Sequence, residues 1–465
     1  MPSKKKAGSD YYRKELDGII SDISRLVAVP SICGEPEGDA PYGMGPDNAK
    51  KEAMALLEGM GFETVDCEGK IAYAHLGNKD KFIGIIGHLD TVPVGDGWLT
   101  DPFKAQVKDG YLIGRGVLDD KGPLVMAAHA AKHVFDTKKC RYGIRIILGL
   151  DEEVGMKDAD YYCSTQKIPL ATFTPDAEFP VCIGEKGRVG LRLWTKKIKK
   201  GILREFSYGN ADNAVPDCAR AVIASKYDEV IDSFAKSRWI STRRTSDGIE
   251  ISATGIPAHA AHPEPGHSAG RELCEFLIST GLLSEQEREA FEFILKVSDR
   301  SDGSQLNIDA TDDDFGPLTI ITGMGGLKDG RLFVDMDARL PSSISPDQVI
   351  KDICETASEY GLGDEEVLDK ADSFKVDPDG PLVRMLCEAY EEVTGKKAVP
   401  FTMAGGTYSK HIPNCVSFGP EWPDSRYPSW VGGCHARNEG YKVDDIVKTC
   451  EVYDAAISKL MDADL

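Results

Sequence analysis

At 465 residues the chain is too long for one ordinary hydrophobic core, which implies two domains or one large domain carrying an insertion. A net charge of −21 argues against nucleic acid as a partner, because phosphate binding needs a basic footprint. Apolar residues make up 41%, but the longest apolar runs are strand-sized, far short of the roughly 18–20 residues that cross a bilayer, so no membrane partner is expected.

Taken from the start, "MPSKKKAGSD" is basic with no apolar segment behind it. It reads as a solvated tail rather than a secretory signal. "NAKKEAMALLEGMG" has helical spacing, "IAYAHLG" and "FIGIIGHLD" read as strands, "KGPLVMAAHAAKHVFD" as a helix and "YGIRIILGLDEE" as a strand. Strands alternating with helices predict a largely parallel α/β sheet, and apolar runs this continuous suit strands covered on both faces. Near residue 185 the pattern changes. "RVGLRLWTKKIKKGILREFSYG", "GIEISATGIPAHAA" and "GRLFVDMDARLP" alternate, as half-exposed antiparallel strands do, with helical "GRELCEFLISTGLL" and "SPDQVIKDICETASEYG" among them. After about 382 the α/β character returns, with a helix in "LVRMLCEAYEEVTG", then "CVSFGPEWP" and a last helix from Val443. The expected organisation is an α/β domain from residues 1–184 and 386–465, interrupted by an inserted α+β domain at 185–385.

The apolar runs end in acids. His88 and Asp90 follow one strand; two apart on an extended backbone, they face the same side, so Asp90 can orient the imidazole. Asp119 and Asp120 stand before a helix start, Asp151, Glu152 and Glu153 follow another strand, and Asp176 closes "ATFTPDAEFP". Open α/β sheets bind ligands beyond the carboxyl ends of their strands. A single strand-end Asp is more often a helix cap or turn residue, and Asp120 and Asp151 fit that reading too. Jointly, acids converging without basic partners repel one another, and either protonate or bind a cation. With His435 in the Gly-flanked "GGCHARNEGY", the donors form a nitrogen/oxygen set suited to Zn²⁺, and also to Mn²⁺ or Co²⁺.

Other chemistries find less support. His129 and His133 have zincin spacing, but residue 130 is Ala where that motif needs Glu, so they read as two histidines on one helix face. His259, His262 and His267 crowd one turn without evident carboxylate partners. There is no G-x-S-x-G, and the Gly-rich "GMGGLKDGR" and "MAGGTYS" lack the Gly-Lys-Ser/Thr of a phosphate loop. Twelve scattered cysteines, none at C-x-x-C spacing, suit a reducing cytoplasm better than a disulfide framework.

"GHLDTVP", "GRGVLDDKGP", "DEEVG", "TPDAEFP" and "CHARNEG", in this order, resemble the two-metal exopeptidase and deacylase superfamily that includes aminoacylase, acetylornithine deacetylase and carnosinase. The length, "TPDAEFPV", "NAVPD" and the long middle insertion are most similar to the bacterial Xaa-His dipeptidases of the PepV type. The resemblance implies a zinc-exopeptidase fold with an inserted lid domain and two divalent metal ions, Zn²⁺ foremost. His88, Asp119 and Asp176 would bind one ion, and Asp119, Glu153 and His435 the other. Asp90 would orient His88, Glu152 would be the general base, and the Asp119–Asp120 peptide would be cis. Within the insertion it implies His259 for the oxyanion, although Pro257 stands where the family often has Ser. It also implies Asn213 and Arg339 as substrate contacts, with Gly405 and Gly406 lining the pocket. The expected activity is hydrolysis of dipeptides with a free N-terminus by a water shared between the metals, in a cytoplasmic monomer. A deacylase of the acetylornithine or succinyl-diaminopimelate type is the alternative. A silent binding protein is disfavoured because the metal set and Glu152 are intact.

Overall fold

The two apolar runs that end in acids, Phe82–His88 and Gly143–Gly149, are adjacent parallel strands, buried along their whole length. They were located in a computed structural model, which describes residues 4–234, 237–246 and 248–465. The chain divides into two compact units. One is Met1–Gly184 with Lys375–Phe401 and Gly406–Leu465; the other is Glu185–Phe374 with Thr402–Gly405.

In the first unit six neighbouring strands of a nine-stranded sheet run Glu63–Cys67, Ile71–Leu76, Gly143–Gly149, Phe82–His88, Thr172–Thr174, Cys415–Ser417. The last four strands are mutually parallel, and the first two join them as an antiparallel hairpin. The sheet is therefore mixed, with a parallel centre, as expected of an α/β unit. Period-two alternation sorts each central strand between two cores. Ile83 and Ile85 face a core built with helices Lys4–Val27, Lys121–Thr137, Pro381–Thr394 and Val443–Asp462, whereas Ile86 and Ile147 face Tyr162, Tyr408 and Ile412.

Of the expected basic tail, residues 1–3 lie outside the described residues, and from Lys4 the backbone is the first turns of a helix, Lys4–Val27. Tyr12, Ile19, Ile23 and Leu26 recur at helical spacing and are buried, and the Tyr12 hydroxyl donates to Asp454 at 2.7 Å. This apolar stripe, running on from the charged start, is what the composition of the first ten residues conceals.

The second unit carries an eight-stranded antiparallel sheet in the order Ile240–Thr245, Gly248–Thr254, Cys218–Ile223, Leu203–Tyr208, Thr319–Lys328, Arg331–Leu340, Gly187–Thr195, Leu362–Ala371. Ala269–Ser279 and Pro346–Ser358 are the two helices expected there. A third, Glu285–Val297, was not singled out in the sequence, although Ser284 and Glu287 form a reciprocal capping box at its start.

Glycine explains how the central strand turns into the site. A Cβ on Gly87 would stand 2.3 Å from Asp120 Oδ2 and 2.9 Å from Leu124 Cδ1. The bare backbone leaves room for the Asp120 carboxylate, which accepts the His88 amide at 3.1 Å. Gly87→Ala should therefore lower unfolding free energy by about 1–3 kcal/mol, the usual cost of forcing an extra carbon into a filled interior. Chemical denaturation of the metal-free protein measures this, and an unchanged midpoint would contradict the packing argument.

Candidate metal centre

Each acidic segment reaches the site from a different element. His88 ends the Phe82–His88 strand, and Asp119 and Asp120 immediately precede the Lys121–Thr137 helix. Asp151, Glu152 and Glu153 follow the Gly143–Gly149 strand, Asp176 follows Thr172–Thr174, and His435 lies in the loop before Val443–Asp462. All belong to the first unit, and the structure brings His88, Asp119, Glu152, Glu153, Asp176 and His435 together.

Asp119 is the centre of the arrangement. Its Oδ1 lies 2.9 Å from His88 Nε2 and its Oδ2 lies 3.1 Å from His435 Nε2. Asp176 approaches His88 Nε2 at 3.9 Å, and Glu153 approaches His435 Nε2 at 3.1 Å. Ligand atoms of His88, Asp119 and Glu153 lie within 4.8 Å of one another, as do those of His88, Glu152 and Asp176. The Asp119–Asp120 peptide is cis. His435 holds a left-handed φ of 63°, a conformation that costs a non-glycine residue on the order of 1 kcal/mol.

Asp90 does more than its spacing foretold. Its backbone carbonyl lies 3.0 Å from His88 Nδ1 and its carboxylate 3.4 Å, which puts the ring proton on Nδ1 and frees Nε2 as a ligand. The same carboxylate accepts the backbone N–H groups of Glu152 at 3.3 Å and Glu153 at 3.0 Å, and the Cys33 thiol at 3.6 Å. One side chain therefore fixes both a histidine and the acid pair.

Asp120 and Asp151 divide. The Asp120 side chain does not cap the helix it precedes but turns to the strand end, as described above. Asp151 is a turn residue: its carbonyl accepts from Gly155 and Met156, and its carboxylate from the Lys157 amide. His129 and His133 pair with Asp22 at 2.9 Å and Asp454 at 2.5 Å, joining helices. The crowded turn holds a carboxylate contact that the sequence reading lacked: His267 meets Glu272 at 2.9 Å and stacks on Trp239.

The electrostatics fit a cation. Among the described residues, the ion pairs of Asp119, Glu153 and Asp176 are to His88 and His435, and no lysine or arginine enters the cluster. Glu152 Oε1 and Glu153 Oε1 are buried without a hydrogen-bond partner, a costly state that a ligand relieves. Burial pushes Glu152 well above its ordinary range, reinforced by the charge of Asp176. Burial, then the Asp119 charge, raises Glu153, and raises Asp176 to about 8. Burial pushes Asp119 the same way, but hydrogen bonds from His435 and His88 outweigh it and hold it low. Hydrogen bonds to Asp119 and Glu153 raise His435 to about 10. Protons thus fill the role that a cation would take.

The model of peptidase family M20/M25/M40 matches residues 84–459. This chain belongs to that family. The M20 peptidase is 32% identical over 463 residues to a putative dipeptidase, YtjP, of Bacillus subtilis, covering 96% of this chain and 98% of the relative. It is 30% identical over 459 residues to the Beta-Ala-Xaa dipeptidase of Lactobacillus delbrueckii subsp. lactis, with 96% of each covered. Human carnosine dipeptidase 1 shares the fold, with a TM-score of 0.62 at 14% identity over 99% of this chain and 100% of that one. No described helix is long and apolar enough to cross a membrane, and all twelve cysteines are free.

Of the remaining candidates of the M20 peptidase, Asn213, His259, Arg339 and Gly405 belong to the other unit and Gly406 to the first. The segment carrying His259 pairs with that of Asn213: Val215 donates to the Ala258 carbonyl and Ala260 to the Asn213 carbonyl. His259 Nδ1 accepts the Ala261 amide at 3.2 Å. Arg339 is 6% exposed, and its fork is engaged by Asp337, through Nε at 2.6 Å and Nη2 at 3.1 Å; Nη1 donates to the Ala404 carbonyl at 3.2 Å. Gly405 follows that carbonyl, and a Cβ there would meet nothing within 4 Å, so packing does not demand glycine. Gly406 is half-buried beside it.

Sequence reasoning missed two buried carboxylates. Asp158 accepts the Leu150 amide at 2.6 Å and the Tyr408 hydroxyl at 2.6 Å, steadying the loop that bears Glu152. Glu439 gathers amides beside Asp119 and pairs with buried Arg115. The second was visible in "CHARNEGY", four residues after His435; for Asp158 no signal existed.

Because raised carboxylates and imidazoles carry protons near neutrality, a divalent cation must displace them. Its affinity should rise from pH 6 to pH 8, with proton release on binding. Calorimetry in two buffers of different ionisation enthalpy reads that release; heats independent of the buffer would contradict it.

Proposed function

We propose that this M20 peptidase is a two-cation dipeptidase acting on dipeptides with a free N-terminus. The observation that carries the reading is the Asp119 carboxylate divided between His88 and His435. His88, Asp119 and Asp176 would hold one divalent cation, and Asp119, Glu153 and His435 the other. Zn²⁺, Mn²⁺ and Co²⁺ all suit this set. When bound, such a pair supplies positive charge that acidifies a water and polarises the scissile carbonyl.

The rest falls to the chain. Glu152, held by its own amide on Asp90, accepts the proton of the attacking water and passes it to the leaving nitrogen. His259, whose Nδ1 accepts the Ala261 amide, would stabilise the developing oxyanion. Arg339, braced by Asp337, keeps one hydrogen on each Nη for the substrate carboxylate. Asn213, Gly405 and Gly406 complete the substrate contacts. In this reading the first unit is catalytic and the second binds substrate. The dipeptidase names of the Bacillus and Lactobacillus relatives support it. Free cysteines suit a cytoplasmic enzyme, and the resemblance to the PepV type favours a monomer.

Glu152→Gln should keep two cations per chain by elemental analysis while kcat falls by about 10²–10⁴, the range for a lost general base. Loss of a cation would instead make Glu152 a ligand, which its reach to His88 and Asp176 permits. Reconstituted with metal after chelation, the wild type should hydrolyse a panel of unblocked dipeptides faster than N-acetyl amino acids. The reverse order would assign it to deacylation.

A further inference from the structure

We propose that Glu439 is a positioning residue that sets the place of the Asp119 carboxylate and of the His435 loop, and so governs the His435-side cation more than the His88-side one. The inference rests on the two-cation reading above.

Glu439 is fully buried, and it spends its two oxygens differently. Oε1 accepts three backbone amides in a row of four residues: Gly116 at 3.0 Å, Leu118 at 2.9 Å and Asp119 at 3.1 Å. Oε2 accepts Arg115 Nη1 at 2.6 Å. The Glu439 backbone carbonyl accepts a further amide, from Gly114. The Arg115 guanidinium, itself 1% exposed, continues to the His435 carbonyl at 3.3 Å and the Pro93 carbonyl at 3.4 Å. A single buried pair thus ties the approach to Asp119 to the loop that presents His435.

The two sides of the site differ in what else holds them. His88 belongs to a strand paired on both edges, with its ring on Asp90 and its amide on Asp120. His435 sits in a loop at a left-handed φ, with its side chain 52% exposed. Nearby, Asn438 accepts the Leu99 amide at 2.7 Å, and the remaining ties of the loop are mostly short-range backbone bonds such as Ala436 to Gly433. A buried ion pair is weak support for stability, because apolar residues of like volume often serve as well. Groups behind metal ligands, by contrast, commonly change metal affinity by roughly 10–100-fold when removed.

The test follows Co²⁺ binding to the chelated protein by absorption and calorimetry, with circular dichroism reporting the fold. Wild type should take up two equivalents. Glu439→Ala should weaken the second equivalent by about 10–100-fold and leave the first within about threefold. Glu439→Gln keeps an oxygen for the three amides but turns an NH2 that cannot accept toward Arg115, so it should recover only part of the second site's affinity. Arg115→Lys keeps the amide acceptor, loses the link to the His435 carbonyl, and should weaken the second equivalent alone; it carries the test if Glu439→Ala does not fold. Equal weakening of both equivalents, or of neither, in folded variants would overturn the inference. A wild type that takes up one equivalent would overturn the two-cation reading itself.

Discussion

Asp119 meets His88 with one oxygen and His435 with the other, so a single side chain must be placed correctly with respect to a strand end and a distant loop at once. Neither histidine is near it in the chain. The parallel strands are what make the meeting possible. They run the same way, so the loops after Phe82–His88, Gly143–Gly149 and Thr172–Thr174 emerge along one edge of the sheet. Each of these loops then contributes an acid or an imidazole, and the helix beginning at Lys121 starts where the bridging acid ends.

Gathering acids at one edge is unfavourable, and a second group of carboxylates keeps the loops from yielding. Asp90 accepts the amides of Glu152 and Glu153, Asp158 those of Leu150 and Asp151, and Glu439 those of Gly116, Leu118 and Asp119. Hydrogen bonds to a charged acceptor are worth about 1.5–3 kcal/mol each, roughly twice a neutral pair. Every loop that bears a candidate ligand from the N-terminal half, except that of Asp176, is stapled in this way through its backbone. The side chains are left free to turn inward.

Much of this was legible in the sequence. Apolar runs ending in His88, Glu152 and Asp176 marked strands and their carboxyl ends, because burial on both faces leaves an unbroken pattern and polarity resumes where the strand stops. The alternation after residue 185 marked an antiparallel sheet for the same reason. What escaped notice depended on long-range contact. The helical stripe of Tyr12, Ile19 and Ile23 lies beyond a charged start that reads as a tail. Asp158 and Glu439 look like ordinary helix and loop acids until their amide partners, supplied by other segments, are known. The antiparallel hairpin at one end of the sheet is likewise a matter of partner choice, which periodicity does not encode.

The uneven burial of the two imidazoles has a further consequence. His88 is enclosed, whereas half of the His435 side chain is open to solvent. On the two-cation proposal, a chelator arriving from bulk water would meet the exposed imidazole of His435 before the enclosed one of His88. Partial stripping would leave a population in which the occupied position is the interior one.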